Sequence, residues 1–223
     1  MKSKRNTIAT VSIIVFIIAL VTGATIWFFN AVADKVFTHT GDWQELADAP
    51  SSVMLSELDL NWSNGDVIGY MSSDDFDLDC NIVYGTSSFD LNFGAGLHTD
   101  SSLPGSITPA MFAGHCQYRF NGFQNAEVGD VITVKMSYGV FKYRISKIEI
   151  VNANSFDATT LNSKEYQALF YTCYPYNATP NAKSQRQFFY CKQIAGTKLF
   201  NDVTGYGGQL TRPASHNLSE YAS

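Results

Sequence analysis

No two of the four cysteines stand in a CxxC pair, so the chain lacks the close ligand spacing that marks most structural zinc sites. Charged residues make up only 16% of the sequence, against 45% hydrophobic and 14% aromatic, a balance that excludes a disordered polypeptide. No internal repeat and no low-complexity tract appears, which excludes a solenoid. Basic charge is scarce over most of the molecule. Setting aside Lys2, Lys4 and Arg5, 12 basic residues face 20 acidic ones, a net of −8. That balance argues against a phosphate-binding surface, and no nucleic-acid partner is expected. The acidic run Asp74, Asp75, Asp77 and Asp79 lacks EF-hand spacing and reads as aspartates flanking a turn. Neither a metal nor a cofactor is expected.

What is present begins with a leader. Lys2, Lys4 and Arg5 precede an uncharged apolar run from Thr7 to Phe29. As a helix those 23 residues span about 34 Å, enough for a hydrocarbon core of about 30 Å. A cleaved signal peptide shares the charge-then-apolar order, but the run is long for one and no small-x-small cleavage site follows it. The reading is one uncleaved N-terminal transmembrane helix, with residues 1–6 cytoplasmic, 7–29 the anchor and the remainder extracellular. Residues 30–60 read as a membrane-proximal stalk, 61–200 as the main domain and 201–223 as a polar tail. Outside the membrane, Cys80, Cys116, Cys173 and Cys191 are in a compartment that permits disulfides.

The main domain reads as short strands punctuated by turn residues. Gly65–Met71, Cys80–Thr86, the segment ending at His115, and the pair "GDVITVKM" and "GVFKYRISKIEIVNA" joined at "SYG" all fit strands. "YQALFYTC" and "RQFFYCKQI" follow, joined by the twelve residues Tyr174 to Gln185. "FGAGLHTDSSLPGS" reads as a loop. Many strands and few helices predict an all-β barrel or sandwich.

A thiol at the tip of an apolar strand, as in "ALFYTCYPY", has four readings: packing, half a disulfide, a metal ligand or a nucleophile. Strand parity narrows its partners. Leu169, Tyr171 and Cys173 share one face, while Arg186, Phe188 and Tyr190 share a face of the following strand. If the two strands pair antiparallel, Cys173 and Arg186 lie near one end of the sheet. Cys191 then points away from Arg186. Beside a thiol, a fixed guanidinium can orient a carbonyl and offset an oxyanion; alone it is more often a snorkelling edge residue. His39 lies in the stalk, His216 in the tail and His98 in the Gly-rich loop, which leaves His115, at a strand end, as the best-placed imidazole. A thiol and an imidazole are the minimum for thiol acyl transfer. Cys116, next to His115, has several readings: a buried small hydrophobe, half of a disulfide, a metal ligand, or an oxidation partner for Cys173 in a redox switch.

From about Gly65 to Ile194 the chain resembles the sortases, membrane-anchored cysteine transpeptidases of Gram-positive bacteria. "LPGSITPAMFAGH" is similar to the segment leading to that family's active-site His, and "VGDVITVKMSYGVFKYRISKIEIV" to its central hairpin. "LFYTC" matches the end of its TLxTC motif, and "SQRQFFY" the strand bearing its Arg. The order His, Cys, Arg and the separations of 58 and 13 residues also fit. Leu169 and Phe170 replace the first two residues of TLxTC, and the signature Pro near "CNIVYG" is missing. "TCYPY" is similar to class D, and a tail without a second membrane span points away from the pilin-polymerising class.

The resemblance implies a closed, roughly eight-stranded β-barrel with His115, Cys173 and Arg186 catalytic and Thr172 contacting substrate. It implies an LPxTG-like sorting signal as substrate, with an amine of a peptidoglycan precursor or of a pilin as acceptor. A hydrolytic cysteine peptidase and a non-enzymatic anchored β-domain for binding are the alternatives.

Overall fold

The computed structural model describes residues 19–25, 27, 49–155, 158–179 and 183–200. The chain divides into two compact units, Met1–His39 and Thr40–Ser223. In the first, residues 19–25 and 27 are helical and exposed. The rest of the expected anchor lies outside the described residues, among which no helix is long and apolar enough to cross a membrane. The tail from 201 onward also lies outside them.

The second unit is built on strands β1 (Ser52–Met54), β2 (Val67–Ser73), β3 (Leu78–Tyr84), β4 (Ala95–Leu97) and β5 (Ala110–Gly114). They are followed by β6 (Val131–Met136), β7 (Gly139–Asn152), β8 (Gln167–Tyr174), β9 (Gln185–Gly196) and β10 (Lys198–Phe200). Eight of them close a barrel in the order β2-β3-β4-β5-β8-β9-β7-β6, so the expected closed barrel is what the sequence folds into. Closure leaves those eight strands no free edge. The ninth and tenth, β1 and β10, pair with each other in parallel. Ser52–Met54, inside the segment read as a stalk, is therefore laddered to Lys198–Phe200, and Val53, Leu55, Leu58 and Leu60 pack on the barrel core.

The strands form where residues alternate with a period of two. In β7, Phe141, Tyr143 and Ile145 are buried while Lys142, Arg144 and Ser146 are exposed. That alternation places one face in the lumen. Met71, Ile82, Phe112, Phe123, Ile132, Phe170 and Phe189 fill it, each fully buried. The strands β5 and β8 depart from the alternation because both their faces are covered. Their inner residues Phe112 and Phe170 stack at 5.0 Å in the lumen. Their outer residues Met111, Ala113, Leu169 and Tyr171 form a second apolar cluster with Phe188, Leu91 and Leu161. Leu91 and Leu161 come from two single-turn 3-10 helices, Asp90–Asn92 and Ala158–Asn162. Burial on both faces is the usual requirement of a parallel pair, and β5 and β8 are parallel.

Of the aspartates between β2 and β3, Asp75 accepts the Val131 amide at 2.8 Å. Among the described residues no three His, Cys, Asp or Glu side chains converge as a metal site.

Candidate active site

Register brings Cys173 and Arg186 together and leaves His115 at the end of the strand beside β8. The β5–β8 pairing runs from Ala110 opposite Ala168 to Gly114 opposite Thr172. His115 follows Gly114 directly, and Cys173 follows Thr172, so the two come one residue after the last β5–β8 pair. The β8–β9 pairing sets Cys173 directly opposite Arg186. His115 at the end of β5, Cys173 near the end of β8 and Arg186 at the start of β9 thus lie at one end of three adjacent strands. Cys173 and Arg186 continue the outward rows Leu169-Tyr171 and Tyr190-Phe188. The 58-residue separation of His115 from Cys173 equals the β5–β8 register offset, which is why it is diagnostic.

The end of β5 is shaped by Gly114. A Cβ there would run into the Phe120 ring, so only glycine lets the chain pass under that side chain and turn. The turn is closed by the His115 carbonyl, which accepts the Tyr118 and Phe120 amides, both at 3.1 Å. The His115 ring lies edge-on to Tyr118 at 6.2 Å between centroids. Beside this turn a cleft of about 380 Å³ opens, lined by Asp77, Asp79, Asn92, Tyr118, Arg119 and Gly122. Burial pushes the imidazole pKa down, the Ser88 backbone hydrogen bond opposes that shift, and the Lys183 charge adds to it. The resting ring is therefore neutral near neutral pH.

Thr172 is buried, and its hydroxyl donates to the Gly114 carbonyl at 2.6 Å. It ties β8 to the strand that presents His115. Arg186 is only 4% exposed, an unusual burial for a guanidinium with no carboxylate partner among the described residues. Its Nη1 donates to the Lys183 and Gln185 carbonyls, both at 2.9 Å. Its Nε is buried without a partner among the described residues. A buried unpaired donor is costly, and an incoming acceptor atom would relieve it. The hydroxyl of Tyr176, in the turn after β8, is a second such donor.

All four cysteines are free thiols. Cys80 and Cys191 sit in the core, and burial raises both thiol pKa values, that of Cys80 to about 12. The neighbouring Cys116 thiol and burial raise the Cys173 pKa, while the Arg186 and Lys183 charges pull the other way. Cys116 is lowered to about 6 by the neighbouring Cys173 thiol and by Lys183, whose Nζ donates to its Sγ at 3.0 Å. The first negative charge of the pair therefore sits on Cys116, next to the ammonium, while Cys173 rests protonated. Parity and motif reasoning pointed to His115, Cys173 and Arg186 but missed Lys183 and Tyr176. The only sequence signal for Lys183 was a basic residue shortly before Arg186.

A sequence model of the sortase domain matches residues 71–194. The chain belongs to the sortase family. It is 33% identical over 113 residues to Sortase D of Bacillus subtilis (strain 168). That match takes in 51% of this chain and 57% of the Bacillus protein, so the chain spans little more than half the length of that curated relative. The class D-like resemblance read from "TCYPY" agrees with it. Among solved structures, Clostridium perfringens sortase C with the C-terminal cell wall sorting motif superposes at a TM-score of 0.55 and 25% identity. It covers 61% of this chain and 75% of that one. A Clostridium perfringens Sortase D5 transpeptidase gives 0.52 and 22%, covering 60% and 82%, a likeness of fold alone. Streptococcus pneumoniae Sortase C gives 0.53 and 27%, covering 58% and 69%.

Proposed function

We propose that this sortase is a cysteine transpeptidase: it cleaves an LPxTG-like sorting signal through a thioacyl enzyme and passes the acyl group to an amine. The observation that supports the reading is the register of β8 and β9, which pairs Cys173 with Arg186, with His115 following the last β5 residue paired to β8. Cys173 is the nucleophile, His115 the acid–base, and Arg186 the donor to the substrate backbone and oxyanion. Thr172, read by resemblance as a substrate contact, acts mainly by holding the strand that presents His115.

The reaction starts from a protonated thiol and a neutral imidazole. As substrate docks, the Cys173 proton passes to His115 and the thiolate attacks the Thr carbonyl. Arg186 stabilises the oxyanion. His115 then protonates the leaving amine as the C–N bond breaks. An acceptor amine attacks the thioester, yields its proton to His115, and Cys173 is released as the thiol. The acceptor is the amine of a peptidoglycan precursor or of a pilin; one of the superposing relatives was solved with a cell wall sorting motif.

The decisive assay is a labelled sorting-signal peptide incubated with and without an amine acceptor. Acceptor-dependent ligation supports the transpeptidase. Equal product in both conditions refutes transfer in favour of hydrolysis.

We also place the protein in the cell membrane as a single-pass chain, with residues 1–6 cytoplasmic, 7–29 spanning, 30–60 proximal, 61–200 catalytic outside and 201–223 a tail. The support is the uncharged 23-residue run behind three basic residues. Retention in the membrane pellet after alkaline extraction, lost on deleting residues 1–29, is expected. Release of the full chain into the soluble fraction would contradict the placement.

A further inference from the structure

We propose that Cys116 and Cys173 form a dithiol site that closes reversibly to an intramolecular disulfide under a peroxide or a small-molecule disulfide, with Lys183 holding the Cys116 sulfur in place. Three observations carry it. The two cysteines stand at the ends of neighbouring strands whose register is fixed by five residue pairs, the last Gly114 with Thr172, and both pack in one core cluster. Closure brings the two sulfurs to about 2.05 Å at the end of a laddered strand pair. Cys173 is partly exposed, so an oxidant reaches the pair from the substrate side, while Cys116 lies 2% exposed behind it. Lys183 donates to Cys116 Sγ at 3.0 Å and is paired with no carboxylate among the described residues.

That ammonium is what makes Cys116 more than a packed sulfur. A thiol meeting a fixed cation is ionised at neutral pH, and the thiolate is the species that oxidants and disulfides react with. Cys80 and Cys191 show the opposite environment: each is enclosed by apolar core and kept protonated by burial.

The chemistry balances in two ways. With hydrogen peroxide, one thiolate takes an oxygen atom to become a sulfenic acid, and the peroxide is reduced to water. The second sulfur then attacks the sulfenic sulfur, the S–S bond forms, the S–O bond breaks, and a second water leaves. With a small-molecule disulfide, the partly exposed Cys173 displaces one thiol, which takes its proton, and forms a mixed disulfide. The Cys116 thiolate then displaces the second thiol. In both cases two protein thiols lose two electrons and two protons, and a thiol reductant reverses the change.

The consequence for activity rests on the proposed role of Cys173; the dithiol itself does not. Closed, the enzyme has no nucleophile. Because the partner sulfur intercepts the sulfenic acid, Cys173 is spared the irreversible steps to sulfinic and sulfonic acid.

The test uses the reduced full-length protein in detergent, treated with hydrogen peroxide, blocked with N-ethylmaleimide and digested without reduction. A linked Cys116–Cys173 peptide pair, lost with dithiothreitol, is expected. In Cys116→Ser, whose fold is checked by near-UV circular dichroism, Cys173 should instead accumulate as sulfinic and sulfonic acid that dithiothreitol does not restore. Lys183→Gln should slow exchange with a small-molecule disulfide at pH 7 by roughly tenfold. Phenylarsine oxide, which bridges two thiols, should block both labels in the wild type and neither in Cys116→Ser. Irreversible oxidation of Cys173 in wild type and variant alike, or linkage to Cys80 or Cys191, overturns the proposal. These readouts need no transfer activity, so a protein that forms the disulfide but transfers nothing refutes the transpeptidase reading and leaves the dithiol standing.

Discussion

Replacing Thr172 by valine isolates one strut of the site. Thr172 is 1% exposed and its hydroxyl reaches the Gly114 carbonyl at 2.6 Å, at the last paired position of β5 and β8. Valine keeps the shape and removes the donor. The lost hydrogen bond contributes about 1 kcal/mol, and facing a buried carbonyl with a methyl group raises the loss to roughly 1–3 kcal/mol. For a domain of this size about 2–4 °C of melting temperature accompanies each kcal/mol, so Thr172→Val should melt roughly 2–12 °C lower. Thr172→Ser, which keeps the hydroxyl, should recover more than half of that. Because Gly114 immediately precedes His115, turnover should fall in Thr172→Val while alkylation of Cys173 persists. A valine variant that melts and turns over like the wild type would refute the argument that this bond holds β5 to β8 at the site.

Arg186→Ala should lower kcat about 10²–10³-fold, the usual loss for one oxyanion donor, with Arg186→Lys restoring only part because it keeps the charge without the planar fork. Full activity in either, measured with a quenched peptide, would remove Arg186 from the mechanism. The thiolate absorbance near 240 nm should be present above a pH of about 6 and lost as pH falls through that value, since Cys116 is lowered to about 6. Lys183→Gln should move the transition upward, and an unmoved transition would exclude the ammonium as a cause. The His115 pKa lies below its ordinary value in the folded chain, so the unfolded chain binds the proton first as pH falls. Stability that is present above about 6.5 should be lost as pH drops through the folded value. Denaturant midpoints for wild type and His115→Gln should diverge in that window; parallel curves would contradict the burial of the ring.

Much of this site was legible in the sequence because strands announce parity. "LFYTC" and "RQFFYC" fix which residues share a row with Cys173 and with Arg186, and the observed register then pairs the two directly. The long strands β6 to β9 were equally plain, since alternation such as that of Phe141, Lys142 and Tyr143 has one reading. What was not legible lies where local signal is weak. β4 is three residues of a glycine-rich stretch, and only its ladders to β3 and β5 make it a strand. The parallel β1–β10 pair joins residues from opposite ends of the domain, a contact no local pattern announces. Lys183 meets Cys116 across 67 residues of sequence, from the segment just before β9. A lysine beside Ser and Gln reads as solvated surface until the barrel closes.

The central claim is that Cys173 carries the acyl group. Intact and peptide-level mass spectrometry of the reduced enzyme, quenched early with an LPxTG-like peptide and no acceptor amine, measures it directly. A thioacyl adduct on Cys173 is expected, one that disappears when the acceptor is added and never forms in Cys173→Ala. An adduct on Cys116, or none on either sulfur while the peptide is consumed, would contradict it.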